Sequence, residues 1–124
     1  MTAEPERDDA PILDHAVVDG LRELGGPEDP GLLEELVGLF LSEAPGYVED
    51  ILAGLESADL ERVRRASHAL KSSSANMGAS CLSTLARAIE SSAKAGDVDL
   101  LREQSCALGG VFGRTVEELS GLGG

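Results

Sequence analysis

Leu60 to Gly78 reads LERVRRASHALKSSSANMG, and within it Leu60, Val63, Ser67, Leu70, Ser74 and Met77 recur at alternating steps of three and four. That spacing places all six on one stripe of an α-helix, the buried seam of a helix in a bundle. Asp59 stands where an N-cap belongs and Gly78 where a helix ends. The same punctuation recurs on both sides. Upstream, Asp14 caps a helix bearing Val17, Val18, Leu21 and Leu24, which Gly25-Gly26-Pro27 stops. A second helix is predicted from Asp29-Pro30, with Leu32, Leu33, Leu36, Val37, Phe40 and Leu41 on its apolar side. Pro45 is expected to break or bend it, leaving a third helix with Val48, Ile51, Leu52 and Leu55. Downstream, Leu82, Leu85, Ile89 and Ala93 lead to Gly96. Asp97 then caps a last helix through Leu100, Leu101, Leu108, Val111, Phe112, Val116 and Leu119. Gly109, Gly110 and Gly113 each weaken that last helix by up to ~1 kcal/mol relative to Ala, so a kink or frayed end is expected there. No alternating strand pattern is present, and no Asn-Gly or Asp-Gly pair stands between two such runs as a hairpin turn would. The fold class is all-α, an antiparallel bundle with short connections.

The 124 residues are enough for one hydrophobic core and too few for two ordinary domains. With 42% hydrophobic but only 2% aromatic residues, the core must be aliphatic, which suits closely packed helices. Residues 1–11 are expected to form a flexible acidic tail ahead of a single domain at 12–124. A net charge of −13 and few stacking platforms exclude sequence-general nucleic-acid binding. Cys81 and Cys106 lack zinc-ligand spacing and form no disulfide framework. No apolar run is long enough for a membrane span, and the N-terminus lacks the layout of a signal peptide. A reduced, cytoplasmic location and a monomer are expected.

Charge is unevenly divided. Residues 1–61 hold 17 of the 23 acids and only two bases, Arg7 and Arg22. Residues 62–89 carry Arg62, Arg64, Arg65, Lys71 and Arg87 and no acid. Such an island is either a docking surface for an acidic partner or a solvated helix face whose counter-charges lie elsewhere.

No phosphate-binding loop, zinc-protease motif or Ser–His–Asp set is present. The reactive candidates are two histidines and two cysteines. His15, beside the start of the first helix, reads as a surface residue, and the cysteines read as small apolar fillers. His68 differs. It lies roughly 140° around the helix from the seam centre, so it faces outward, where packing does not require an imidazole. Arg64 precedes it by one turn, Lys71 and Ser72 follow at i+3 and i+4, and Ala75 lies two turns on, with Arg65 alongside. Cations and small side chains around an exposed imidazole suit a group that accepts phosphoryl from a partner protein. A solvent-exposed histidine of no special role is the plain alternative.

The stretch HALKSSSANMGA, His68 to Ala79, resembles the signature of histidine-containing phosphotransfer (HPt) domains. His68, Leu70, Lys71, Ser73, Ser74, Met77, Gly78 and Ala79 all fit, and Ser72 replaces the usual Gly with another small residue. Ile12-Leu13-Asp14 is similar to the family's entry to its first helix, and Phe40-Leu41 with Pro45 to its second-helix exit. Leu82, Leu85, Ile89 and Glu90 with Gly96-Asp97 resemble its penultimate helix and turn. The likeness covers residues 12–108 and fades at Gly109 to Gly113.

The resemblance implies a four-helix bundle with additional N-terminal helices, phosphorylation of His68 on Nε2, and exchange with the aspartate of receiver domains in a two-component phosphorelay. It implies a receiver and a sensor or hybrid histidine kinase as partners. No cofactor is expected on this chain, and Mg²⁺ is expected on the receiver. The chain is thus expected to be a carrier rather than an enzyme. Lys71 is expected to neutralise phosphoryl charge, Arg64 and Arg65 to steer an acidic receiver, and Ser72, Ala75 and Gly78 to give a partner clearance. Glu90 matches a position where relatives place a polar residue near the histidine. Two alternatives stand: a helical adaptor that docks partners without carrying phosphate, and a fragment of a kinase. Met1 and the acidic tail point to a free-standing protein, and the Arg-rich, Lys-poor composition to a bacterium with a GC-rich genome.

Overall fold

Asp14 starts the first helix, as its spacing suggests: its Oδ1 accepts the Ala16 N–H at 3.0 Å, satisfying one of the free donors of the first turn. Helix α1 (His15–Gly25) ends at Gly26, whose φ of 59° favours a residue without Cβ. A 3₁₀ turn, Gly26–Glu28, follows. The computed structural model describes residues 11–123, so the tail expected at residues 1–11 lies, Pro11 apart, outside the described residues. The remaining helices are α2 (Leu32–Glu56), α3 (Leu60–Asn76), α4 (Ser80–Ala95) and α5 (Val98–Gly123). No strand occurs among the described residues.

From α2 onward, connections of two or three residues fold each helix back on the one before it. Helix α2 packs on α3, α3 on α4 and α4 on α5, and α5 returns to α2, so α2–α5 close into a four-helix bundle with α1 laid against α2. Asp59 Oδ1 accepts the Arg62 N–H at the start of α3, Gly96 ends α4 at φ 73°, and Asp97 Oδ1 accepts the Leu100 N–H at the start of α5. The core is aliphatic apart from Phe40 and Met77: Leu13, Val18, Val37, Ile51, Val63, Leu70, Leu82, Ile89, Leu101, Leu108 and Leu119 are all buried. No helix of the described residues is long and apolar enough to cross a membrane.

Three sequence expectations are corrected. The helix predicted from Asp29-Pro30 starts at Leu32, with Gly31 at its N-cap. Pro45 does not divide it, so one helix stands where two were expected, and a single additional helix, α1, precedes the bundle among the described residues. The reason is that the buried stripe Leu33, Val37, Phe40, Ala44 and Ile51 runs in one register past the proline. Pro45 itself is exposed, so core burial on both sides outweighs the ~3 kcal/mol local cost. Helix α5 likewise continues through Gly109, Gly110 and Gly113 to Gly123. Those glycines face solvent while Leu101, Leu108, Thr115 and Leu119 hold the opposite face in the core.

Two glycines are set by close approach. A Cβ on Gly54 would lie 2.9 Å from Val63 Cγ2 and 3.1 Å from the Asp59 carbonyl oxygen, where α2 crosses α3. Gly78, at φ 75°, sits under α1: a Cβ there would lie 3.0 Å from both Asp14 O and Val17 Cβ, and its carbonyl accepts the Asp14 N–H at 2.6 Å. Gly54→Ala is therefore expected to lower unfolding free energy by about 1–3 kcal/mol. Gly38→Ala, with nothing within 4 Å of the added Cβ, should raise it by up to ~1 kcal/mol. Urea denaturation of the two variants beside the parent chain checks both signs.

Candidate functional site

The hairpin of α3 and α4 brings two side chains 22 residues apart into contact. Because Val63, Ser67, Leu70 and Ser74 point inward, His68 is turned to the surface, with 58% of its side chain exposed. On α4, Glu90 follows Ile89 on the inward side, and only 7% of its side chain is exposed. A carboxylate that loses its water must gain partners in compensation. Lys71 Nζ donates to Glu90 Oε1 at 2.8 Å, and His68 Nδ1 meets Oε2 at 2.9 Å. Lys94, one turn further along α4, brings its Nζ to 3.7 Å from the same Oε2.

The Lys71 hydrogen bond is the main cause that lowers the Glu90 carboxyl from 4.5 to about 2; burial opposes it, and the His68 contact adds to the lowering. Glu90 is therefore ionised at neutral pH and can only accept. His68 Nδ1 must then be the donor, which puts the proton of the neutral ring on Nδ1 and leaves a lone pair on Nε2. The ring is held at one nitrogen and open at the other.

The remaining expected residues separate into two groups. Ser72 and Ala75 are exposed on the His68 face of α3. Gly78 is buried beneath Asp14 and Val17, so its lack of a side chain serves the contact with α1 and not partner clearance. The acid-free stretch is also less free in space than in sequence. Arg62 pairs with Asp50 of α2, and Lys71 with Glu90. Glu61, one residue before the stretch, takes Arg64 in a two-point contact and lies 3.8 Å from Arg65. That contact lowers the Glu61 carboxyl and raises Arg64. Lys71, expected to neutralise phosphoryl charge, is hydrogen-bonded to the carboxylate behind the imidazole.

His15 is exposed at the first residue of α1. Cys81 is partly buried with Sγ 3.2 Å from the Pro11 carbonyl oxygen, whereas Cys106 is exposed and fills no core space. No cluster of three or more His, Cys, Asp or Glu is placed to hold a metal among the described residues. An apolar groove of about 500 Å³ between α4 and α5, lined by Leu85, Ala88, Ala107 and Val111, contains none of the charged groups around His68. Lys94 was not singled out from sequence. Its one signal is the i, i+4 spacing from Glu90, which acquires meaning only once Glu90 is known to face α3.

The Hpt domain family model matches residues 35–120. The phosphorelay protein LuxU of Vibrio vulnificus, in strains YJ016 and CMCP6, is 40% identical over 75 residues. That match takes in 60% of this chain and 62% of LuxU, so the chain spans less than two thirds of the length of these relatives. The crystal structure of histidine-containing phosphotransfer protein B (HptB) from Pseudomonas aeruginosa PAO1 superposes with a TM-score of 0.76 at 26% identity. It covers 90% of this chain and 94% of the HptB chain.

The depressed Glu90 carboxyl, faced by His68, Lys71 and Arg64 from α3 and by Lys94 from α4, makes stability depend on pH. A lowered carboxyl contributes stability that is full above its ordinary value and is lost as pH falls through the folded one. The stability advantage of the parent chain over Glu90→Gln, on the order of 2 kcal/mol at neutral pH, should shrink as pH falls from 4.5 toward 2. Urea midpoints of both proteins across that range measure it.

Proposed function

The chain belongs to the Hpt domain family, and on that footing we propose that it carries a phosphoryl group on His68 Nε2 between the aspartates of receiver domains in a two-component phosphorelay. The observation that carries this reading is the pairing of His68 Nδ1 with ionised Glu90, at 2.9 Å, behind an exposed ring. The fixed tautomer supplies a nucleophilic lone pair without a separate general base.

The Nε2 lone pair forms an N–P bond to the phosphorus of a receiver's aspartyl phosphate. The P–O bond to the aspartate breaks, and its electron pair leaves with the aspartate as a carboxylate. The Nδ1 proton stays in place, so the phosphorylated ring becomes cationic, and Glu90 sits against the side where that charge appears. The reverse step returns the group to another receiver. Mg²⁺ belongs to the receiver in this scheme, and a sensor or hybrid histidine kinase supplies the phosphoryl group upstream. The chain acts as a carrier, and the partner brings the rest of the reacting constellation.

Ser72 and Ala75 keep the approach to the ring low and so favour close docking. Arg65, exposed and 3.8 Å from Glu61, can exchange that partner for acidic groups of a receiver at small cost, and Arg64, in its two-point contact with Glu61, adds positive charge beside it.

Incubation with a phosphorylated receiver domain, or with phosphoramidate, is expected to give an acid-labile, base-stable label on the parent chain and none on His68→Gln. A folded parent chain that stays unlabelled with several donors would favour an adaptor that docks without carrying phosphate. Label on both proteins would move the site to another residue, with His15 the first to test.

A further inference from the structure

His68 is anchored from one flank of α3 only. Lys71, about 60° around the helix from it, lies on the flank that meets α4, where its Nζ and the ring's Nδ1 both reach Glu90. The two nitrogens of an imidazole project from opposite sides of the ring, so holding Nδ1 against α4 turns Nε2 away from α4. A phosphoryl group on Nε2 is therefore carried over the other flank, the one that faces α2. Arg62, paired with Asp50 of α2, lies on that flank. So does Ser73, which lines a hollow with Leu36 and Leu39 of α2. Ser72 stands on the same side, about 40° around and one turn beyond His68. Helical side chains lean toward the N-terminus of their helix, so the Ser72 side chain leans toward the imidazole. It is exposed, and its hydroxyl is uncommitted. Ser42, Ser67 and Thr115 turn their hydroxyls back on carbonyls of their own helices and Ser83 donates to the Lys71 carbonyl, whereas Ser72 makes no such bond among the described residues. Ala75, the other small exposed residue of this face, has no polar atom to offer.

We infer that the Ser72 hydroxyl donates a hydrogen bond to a phosphoryl oxygen on His68 Nε2, and thereby sets how long the phosphorylated form lasts. This inference rests on the reading of His68 as the phosphoryl carrier. The phosphoryl group brings strong acceptor oxygens to the flank where Ser72 stands, and a hydroxyl that donates to an anion forms a charge-assisted bond. As an uncharged donor, Ser72 has no counter-ion to give up before it makes this bond. The bond favours the dianion over the monoanion and lowers the energy of the phosphorylated chain, so loss of the group to water slows. No proton is transferred: the hydroxyl keeps its hydrogen, and a receiver breaks the bond when it takes the group.

The test uses the full chain, phosphorylated with phosphoramidate, as parent, Ser72→Ala and Ser72→Thr. Two readouts are taken after removal of the donor: the rate at which label is lost to water, and the ³¹P chemical shift of the phosphohistidine as a function of pH. Ser72→Ala removes one oxygen and leaves every cation around the ring in place. Ala is also the better helix former, so thermal unfolding of this variant should not fall below the parent's. Ser72→Ala should lose its label about three- to tenfold faster and move the ³¹P titration midpoint upward by roughly half a unit, because the dianion loses a donor. Ser72→Thr, which keeps the hydroxyl, should restore both readouts. A parent-like lifetime and an unchanged ³¹P midpoint in Ser72→Ala would overturn the inference and leave Ser72 as clearance for a partner. So would a folded Ser72→Thr that behaves as Ser72→Ala does. If the parent chain itself takes no label on His68, the carrier reading fails and this inference fails with it; a labelled parent beside an unaffected Ser72→Ala overturns the inference alone.

Discussion

A carboxylate with almost no contact with water, Glu90, can remain charged inside a helical bundle only because nitrogen atoms replace the solvent it has lost. Lys71 does so at Oε1 and His68 at Oε2, with Lys94 close by. This requirement runs in both directions. The partners keep the acid ionised, and the ionised acid decides which nitrogen of His68 bears hydrogen. A surface histidine on a solvated helix would otherwise sample both tautomers and several rotamers. Here the electrostatic demand of a buried group on one helix selects the chemical state of an exposed group on the next.

The fold exists in a form that permits this contact. Helices α3 and α4 are joined by three residues, and Ala79 N–H returns to the Ser74 carbonyl at 2.8 Å to close the turn. Ser67 and Ser74 are fully buried in the α3 seam, and such small side chains let a neighbouring helix approach closely. Ser67 resolves its own polarity by donating to the Val63 carbonyl at 2.7 Å, and Ser83 of α4 donates to the Lys71 carbonyl at 3.2 Å. Gly78 fastens the same turn to the cap of α1. The result is a site with a rigid rear wall and an open front, as suits a group that must be handed over between proteins.

Much of this was legible in the sequence because burial and periodicity are local properties of a helix. The alternating steps from Leu60 to Met77 sufficed to turn His68 outward, and Asp14, Asp59 and Asp97 announced three helix starts. Pro45 carries a local penalty that the register from Leu33 to Ile51, itself readable in the sequence, outweighs. The glycines of α5 likewise leave the helix unbroken to Gly123, because the face opposite them is held in the core. Charge was harder. Residues 62–89 contain no acid, yet Asp50, Glu61 and Glu90 reach their cations from outside or across the bundle. Glu90 could be placed near His68 only through resemblance, and the i, i+4 spacing of Lys94 from Glu90 has meaning only after that placement. Pairings between helices depend on which faces meet, and one helix's sequence does not contain that information.

The central claim is that ionised Glu90 fixes the proton of His68 on Nδ1 and leaves Nε2 bare. Long-range ¹H–¹⁵N correlation of the imidazole, in the unphosphorylated chain above neutral pH, reads the tautomer directly. The account requires a dominant Nδ1–H form that is lost in Glu90→Ala. A dominant Nε2–H form in the parent chain, or a tautomer balance indifferent to Glu90, would contradict it.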